Sequence, residues 1–121
     1  MSSKILVVDD NALNASLAQI ILTRAGYTVS VARDGFQAIQ ALKVMTVDLC
    51  LIDINMPGMS GKDLCALIRA SDAGARMKLI AHTAMAMPSE RASLVGAGFD
   101  DIVIKPASRD VLLAAIENAL R

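Results

Sequence analysis

Short apolar runs alternate with longer amphipathic segments along the whole chain, and this pattern restricts the possible folds more than any other property of the sequence. A run in which polar and apolar residues alternate lies at Thr28–Ala32. Continuous apolar runs of strand length lie at Ile5–Val8, Leu49–Ile52, Leu79–Ala81 and Ile102–Ile104. Continuous runs are typical of parallel strands buried on both faces, whereas alternation indicates a strand at a sheet edge.

An amphipathic segment of helical length follows each run. Apolar residues at helical spacing predict which face of each segment is buried, and Ser108 is placed to cap the last helix. A weaker fourth segment runs from about Ser89 to Val95. The residues predicted to face the core are Leu13, Leu17, Ile20 and Ile21 in the first segment, Phe36, Ile39 and Leu42 in the second, Leu64, Leu67 and Ile68 in the third, and Val111, Leu112, Ala115, Ile116, Ala119 and Leu120 in the fifth.

Five strands that alternate with five helices predict an α/β fold of the (βα)5 type, in which helices cover both faces of a parallel sheet. Right-handed crossovers leave few topologies for this number of strands, and we expect the doubly wound order 2-1-3-4-5. A length of 121 residues suits one domain spanning residues 1–121, with no additional output domain.

Charge and apolar content argue against several classes of function. The chain has 12 basic and 12 acidic residues, so we expect no basic surface that attracts nucleic acid or an anionic membrane. No apolar run approaches the roughly 18 residues of a membrane span, and the N-terminus has no signal-peptide core. Cys50 and Cys65 lie in apolar segments, as expected of free buried thiols. These features predict a cytoplasmic protein.

Residues with candidate functional side chains follow the first, third, fourth and fifth runs. The carboxyl ends of parallel strands meet at one edge of a sheet, which is where ligands bind in doubly wound folds. The residues that end the first, third, fourth and fifth runs are Asp9 and Asp10, Asp53 to Asn55, His82 to Ala84, and Lys105 with Pro106. We therefore expect three carboxylates, a hydroxyl group and an ammonium group at this edge.

Carboxylates brought together repel one another, and a divalent cation relieves that repulsion. Oxygen ligands favour Mg²⁺ or Mn²⁺ over zinc, and the sequence has no group of His and Cys residues that would compete. Mg²⁺ usually keeps some of its water and accepts a phosphate oxygen. A site that phosphate completes therefore suits Asp9, Asp10 and Asp53.

The other residues at this edge fit a phosphoryl group. Lys105 can supply a second positive charge and Thr83 a hydroxyl donor, while the small side chain of Ala84 leaves its backbone N–H accessible. Positioning and neutralisation of charge are the main requirements of phosphoryl transfer.

The chain resembles the receiver domain of bacterial response regulators and hybrid sensor kinases over essentially its whole length. The motifs that carry the resemblance occur in family order, and they are Ile5 to Asn11, Asp53 with Met56 to Gly61, Thr83-Ala84, and Lys105-Pro106. The resemblance implies a flavodoxin-like receiver fold. It also implies a phosphorylation-dependent switch of a two-component or phosphorelay system, which is not an enzyme beyond its own phosphorylation and dephosphorylation.

The resemblance also implies a role for each motif residue. Asp53 would accept the phosphoryl group, and Pro106 would follow a cis peptide bond. Mg²⁺, or Mn²⁺, would be held by Asp10, by Asp9 largely through water, by Asp53 and by the backbone carbonyl of Asn55. The phosphoryl group would be bound by Thr83, Ala84 and Lys105.

The implied partners are proteins. A histidine kinase or histidine phosphotransfer domain would donate the phosphoryl group and dock near Asn11, Asn14 and the loop after Pro106. The phosphorylated form would act on a downstream protein, as a monomer or weak homodimer. The start at Met1 to Lys4 favours a stand-alone single-domain regulator. The alternative is a receiver excised from a hybrid histidine kinase or a longer regulator.

Three positions near the predicted site lead to further expectations about the switch. Ile102 replaces the aromatic residue usual in the family, so we expect activation to be read out by the loop after Thr83 and the fourth helix. Met85 offers no polar group to attacking water, which predicts slow self-dephosphorylation. His82 points away from Thr83 if side chains alternate along the strand, which favours a packed core histidine.

Two other functions are weighed against the switch. A phosphohydrolase of the haloacid dehalogenase type would use an aspartyl-phosphate intermediate, but it requires an acid two residues after the nucleophile, where this chain has Asn55. A pseudo-receiver would act in protein binding alone, and the complete acidic and basic set argues against that. Incubation with a small phosphodonor and Mg²⁺ distinguishes the three.

Overall fold

The computed structural model describes residues 3–84 and 87–121, and five strands alternate with five α-helices along this part of the chain. The strands are β1 (Lys4–Val8), β2 (Thr28–Ala32), β3 (Leu49–Asp53), β4 (Lys78–Thr83) and β5 (Asp101–Ile104). The helices are α1 (Ala12–Arg24), α2 (Gly35–Val44), α3 (Gly61–Ala70), α4 (Pro88–Ala97) and α5 (Arg109–Leu120), and a short 3-10 helix covers Ala73–Ala75.

The strands form one parallel sheet in the order β2-β1-β3-β4-β5, which confirms the predicted topology. The central strand β3 is buried along its whole length, whereas β2 lies at an edge and pairs only with β1. Along β3, Ile52 is paired with Val8 on one side and with Ala81 on the other. The strand ends are therefore aligned at the carboxyl edge.

Each face of the sheet carries its own hydrophobic core. The residues of one strand alternate between the two cores, because successive side chains of a strand point to opposite faces. Helices α2, α3 and α4 cover one face, whose buried residues include Leu6, Val8, Ile52, Leu64, Ile68, Leu79 and Leu94. Helices α1 and α5 cover the other, whose buried residues include Ile5, Val7, Leu22, Leu51, Ile80, Leu112 and Ile116.

The predicted inner face of α1 is wrong. Leu13, Leu17 and Ile20 are 66%, 50% and 48% exposed, and Ile21 is half-buried. The helix instead turns Ala15, Ala18 and Leu22 towards the sheet. The apolar residues of α1 are distributed around the whole helix, so hydrophobicity alone does not determine which face is buried. The small alanines allow the helix to lie close to the strands. Elsewhere, the predicted core residues that prove to be exposed are Phe36, Leu67 and Val111.

Polar side chains cap four of the five described α-helices at the edge that carries the site. Asn11 caps α1 and Asp34 caps α2, each by accepting a backbone N–H from the first turn. Ser60 and Asp63 form a capping box on α3, and Ser108 caps α5 as predicted. These caps fix the residue at which each of these helices begins. None of the helices in the described part of the chain combines the length and apolar character needed to cross a membrane.

Candidate functional site

Four strand ends bring the candidate residues together at the carboxyl edge of the sheet. Asp9 directly follows β1, and Asp53 is the last residue of β3. Thr83 is the last residue of β4, and Lys105 directly follows β5. The structure therefore gathers side chains that are separated by up to 96 positions in the sequence.

Three carboxylates form the centre of this edge. One oxygen atom from each of Asp9, Asp10 and Asp53 lies within 4.8 Å of the other two. Asp9 and Asp53 are buried, with exposed fractions of 2% and 7%, whereas Asp10 is exposed. Two carboxylates are thus withdrawn from water while the third opens to solvent, an arrangement in which a cation could enter from outside.

Lys105 is the cation that the structure itself supplies. Its Nζ atom lies 2.9 Å from Oδ2 of Asp9 and 3.4 Å from Oδ1 of Asp53. The lysine side chain is only 16% exposed, so its charge is poorly screened. One ammonium group opposite three carboxylates leaves the cluster with an excess of negative charge.

Burial raises the pKa of Asp53 to about 6 from an ordinary value of 3.8. Burial is the main cause, Lys105 opposes the rise, and the neighbouring Asp9 and Asp10 add to it. A divalent cation would supply the missing positive charge, and a set of carboxylate oxygens is the donor chemistry that Mg²⁺ prefers. The residues present therefore fit Mg²⁺.

Backbone groups hold two of the carboxylates in place. The N–H of Asn11 donates to Oδ1 of Asp9 at 2.9 Å, and the N–H of Asn55 donates to Oδ1 of Asp53 at 3.3 Å. Gly61 starts α3 directly against the β3 end, where a Cβ atom would lie 2.5 Å from the carbonyl oxygen of Asp53. Only glycine allows this close approach between α3 and the strand that carries Asp53.

Thr83 is buried at the edge of the cluster, with an exposed fraction of 2%, and its carbonyl accepts the N–H of Lys105 at 2.8 Å. Ala84 is exposed. The peptide bond between Lys105 and Pro106 is cis. Met85, the position predicted to influence phosphoryl lifetime, lies outside the described residues.

Ile102 is half-buried and packs against the core beneath α3 and α4, which also contains Phe99 and Leu94. Ile102 is paired with Ala81, so it lies on the same face of the sheet as Thr83. A cavity of about 130 Å³ lies beside Thr83, and its walls include Asn55, Lys62, Glu90, Ser93 and Leu94.

His82 faces the opposite side of the sheet, as the alternation predicts. It is paired with Val103 and lines a cavity of about 380 Å³ between α1 and the loop that leads into α5. Its Nε2 atom is buried and has no hydrogen-bond partner among the described residues, so this histidine is packed, as predicted, but not paired through that atom. Burial lowers the pKa of His82 to about 4, and Lys105 adds to this effect.

One residue at this edge escaped the sequence-based prediction. Arg33 directly follows β2, and its guanidinium group donates hydrogen bonds to the backbone carbonyls of Asp9 and Asp10. The position of Arg33 at this edge could have been predicted from the sequence, because Arg33 directly follows the second apolar run. Its contact is with backbone atoms, which sequence motifs do not display.

Comparison with known proteins agrees with this geometry. The family model for the response regulator receiver domain matches residues 5–117. The CAI-1 autoinducer sensor kinase/phosphatase CqsS of Vibrio cholerae is 37% identical over 91% of this chain, and the matched part is 16% of CqsS. This chain thus spans a small fraction of that relative.

Two solved structures share the fold over nearly the whole chain. The chemotaxis protein CheY4 of Vibrio cholerae matches with a TM-score of 0.96 and 25% identity, covering 99% of this chain and 100% of CheY4. The receiver domain of sensor histidine kinase PA1611 from Pseudomonas aeruginosa matches with a TM-score of 0.91 and 31% identity, covering 99% of this chain and 98% of that chain. The PA1611 structure has a magnesium ion coordinated in its active site cleft.

The sheet order, the convergence of acidic and basic residues at its carboxyl edge, and the match across residues 5–117 lead to one assignment. The chain belongs to the response regulator receiver domain family, which acts in two-component and phosphorelay signalling.

Proposed function

We propose that this receiver accepts a phosphoryl group on Asp53 and that Mg²⁺ bound beside it makes the transfer possible. The observation that carries the proposal is the position of Lys105, whose Nζ atom bridges Asp9 and Asp53 within a group of three carboxylates. A lysine at this position lies where a phosphoryl group on Asp53 would place new negative charge.

Asp9, Asp10 and Asp53, with the backbone carbonyl of Asn55, would hold the Mg²⁺ ion, and Mn²⁺ could replace it. The ion would supply positive charge to the phosphoryl oxygens. Asp53 attacks phosphorus through a carboxylate oxygen, the bond between phosphorus and the donor's histidine nitrogen breaks, and the nitrogen leaves with its electron pair.

Lys105, Thr83 and the backbone N–H of Ala84 would bind the oxygens of the transferred group. Lys105 is already within 3.4 Å of the Asp53 carboxylate, so it needs little movement to follow the new charge. Burial raises the pKa of Asp53, so its ionised form is poorly stabilised without a cation, and this supports the proposal that Mg²⁺ binds beside it.

The phosphodonor would dock over the start of α1 and the loop after β5, where Asn11, Asn14 and Pro106 lie. Leu13 and Leu17 are exposed on α1, and Leu17 lines the same cavity as Asn14 and Pro106. Exposed leucines next to a concave surface suit the apolar face of a helix, and a helix that carries the phosphorylated histidine is the proposed occupant.

The phosphorylated form would signal through a downstream protein. The cavity beside Thr83 gives that residue room to move, and its outer wall belongs to α4. Since Ile102 has no aromatic ring to change its position, we propose that a shift of the loop after Thr83 and of α4 carries the signal. The protein would be cytoplasmic, monomeric or weakly dimeric, independent of nucleic acid, and limited to the chemistry of its own phosphorylation.

The test is incubation with acetyl phosphate and Mg²⁺, followed by intact-mass measurement. We expect the wild-type protein to gain one phosphoryl group and Asp53→Asn to gain none. Asp72→Asn is the matched control, because Asp72 is exposed and its side chain makes no hydrogen bond or ion pair with a described residue.

Modification that persists in Asp53→Asn would contradict the assignment of the acceptor. Continuous turnover of acetyl phosphate with rapid release of phosphate would indicate a phosphohydrolase, and no modification at any Mg²⁺ concentration would indicate a pseudo-receiver.

A further inference from the structure

Arg33 contacts Asp9 and Asp10, the two residues that follow β1, through their backbone rather than through their side chains. Its Nε atom donates to the carbonyl of Asp9 at 3.2 Å, and its Nη2 atom donates to the carbonyl of Asp10 at 2.9 Å. Among the described residues Arg33 forms no ion pair. The guanidinium group thus leaves both carboxylates available to a cation.

We propose that Arg33 is a positioning residue for the Mg²⁺ site, which fixes Asp9 and Asp10 from the side of the β1–α1 turn that faces β2. The inference rests on the proposed Mg²⁺ site. It assigns a role to a residue outside the group of acidic and phosphoryl-binding residues.

Asp10 depends on this contact more than Asp9 does. The carboxylate of Asp9 is held by the N–H of Asn11 and by Lys105, and the N–H of Asp9 donates to the carbonyl of Ala32 at 3.1 Å. Asp10 is exposed, and its backbone carbonyl is held by Arg33. An exposed metal ligand in a turn binds well only if its backbone is fixed by other contacts.

Arg33 is itself well placed to act as a fixed support. The pairing of Val8 with Ala32 holds the end of β2 beside the end of β1. The backbone N–H of Arg33 donates to Oε1 of Gln37 at 2.9 Å, and the next residue, Asp34, caps α2. The guanidinium group therefore starts from a backbone that is anchored on both sides.

Charge and geometry have opposite effects at this position, which makes the proposal testable. A positive charge close to a cation site weakens cation binding, whereas fixing the ligands strengthens it. A lysine keeps the charge, but its single ammonium group lacks the planar fork that donates to two neighbouring carbonyls at once. Arg33→Lys therefore separates the two effects, and Arg33→Met removes both.

The experiment measures binding of Mn²⁺ to the metal-free full chain by electron paramagnetic resonance, with Mg²⁺ as competitor. We expect Arg33→Lys to bind Mg²⁺ about tenfold more weakly than the wild type. Arg33→Met should bind Mg²⁺ more weakly by a smaller factor, because removal of the positive charge offsets part of the loss. The matched control is Arg24→Met, which removes a charge from the exposed last residue of α1. Arg33 is exposed, so the variants should keep the wild-type circular dichroism spectrum.

A second measurement excludes a general loosening of the structure. At limiting Mg²⁺, acetyl phosphate should modify Asp53 more slowly in Arg33→Lys than in the wild type, and saturating Mg²⁺ should restore the rate. A modification rate that stays below the wild-type rate at saturating Mg²⁺ would overturn the positioning role.

Wild-type affinity in Arg33→Lys would also overturn the proposal, as would tighter binding in Arg33→Met, since either result assigns Arg33 an effect of charge alone. The metal titration uses no phosphodonor, so these results leave the proposed function intact. Failure of the wild-type protein to bind Mn²⁺ or Mg²⁺ would instead remove both proposals together.

Discussion

The raised pKa of Asp53 predicts that this carboxylate destabilises the metal-free protein at neutral pH. Replacing it in Asp53→Asn keeps the size of the side chain and removes its charge. Lys105 keeps its closer partner, the Asp9 carboxylate at 2.9 Å, so the substitution does not leave a buried lysine without a counter-charge. We therefore expect the metal-free variant to be more stable than the wild type at pH 7.

The size of the effect follows from the two pKa values. The folded pKa is about 6 and the ordinary value is 3.8. Since each tenfold change in proton affinity corresponds to about 1.36 kcal/mol, the upper limit is about 3 kcal/mol. The lost contact with Lys105 at 3.4 Å reduces this gain, and we expect about 1–3 kcal/mol.

The dependence on pH has a definite sign. The folded protein binds the proton on Asp53 more tightly than the unfolded chain does, so the contribution of Asp53 to stability is greatest below pH 3.8 and is lost as the pH rises through about 6. The advantage of Asp53→Asn should therefore be absent near pH 3.8, grow between the two pKa values and remain constant above them. The comparison with the wild type at each pH cancels the opposite contribution of His82, which titrates in an overlapping range.

The assay is urea unfolding in EDTA at several pH values, repeated with saturating Mg²⁺. Mg²⁺ should stabilise the wild type more than the variant, because only the wild type retains all three carboxylates. Asp72→Asn should follow the wild-type curve. A metal-free Asp53→Asn that is less stable than the wild type at pH 7, or an advantage that does not change with pH, would refute this reasoning.

Two further predictions concern the free energy of unfolding, and urea midpoints measure both. Arg69 donates to the carbonyls of Gly98, Gly74 and Met77 and pairs with Asp100 at 2.8 Å. Arg69→Met should therefore lower the free energy of unfolding by about 2–4 kcal/mol, whereas Arg91→Met, at an exposed position, should change it little. Equal stability of the two variants would contradict this. Gly61→Ala should lower the free energy of unfolding by about 1–3 kcal/mol, because its Cβ would meet the backbone of β3. In the control Gly96→Ala the new Cβ meets nothing within 4 Å, so this variant should be more stable by about 0.5–1 kcal/mol. A stabilised Gly61→Ala would contradict the close approach of α3 to β3.

The sheet could be predicted from the sequence because its strands obey a simple rule. A strand such as β3 is buried on both faces, so its apolar run identifies it without knowledge of its neighbours. The position of the site followed for the same reason, since residues that end parallel strands must share an edge. His82 and Thr83 were correctly assigned to opposite faces by alternation alone.

The helix faces were harder to predict, because α1 has more apolar residues than one buried face requires. The sheet selects Ala15, Ala18 and Leu22, which allow close packing, and leaves Leu13 and Leu17 in solvent. Large apolar side chains that the core does not need remain exposed on the helix next to the site. Their exposure is what the proposed docking of a partner helix would explain.

Arg33 shows a second limit of prediction from motifs. Asp9, Asp10 and Lys105 were identified because their side chains carry the expected chemistry. Arg33 acts on carbonyl oxygens, and every residue has one, so no pattern of residue types distinguishes the two that it holds. A motif can identify the ligands of a metal, but the backbone contacts that fix those ligands depend on how β1 and β2 end side by side. On the proposed role of Arg33, two receivers with the same acidic residues would differ in Mg²⁺ affinity through a residue after the second strand.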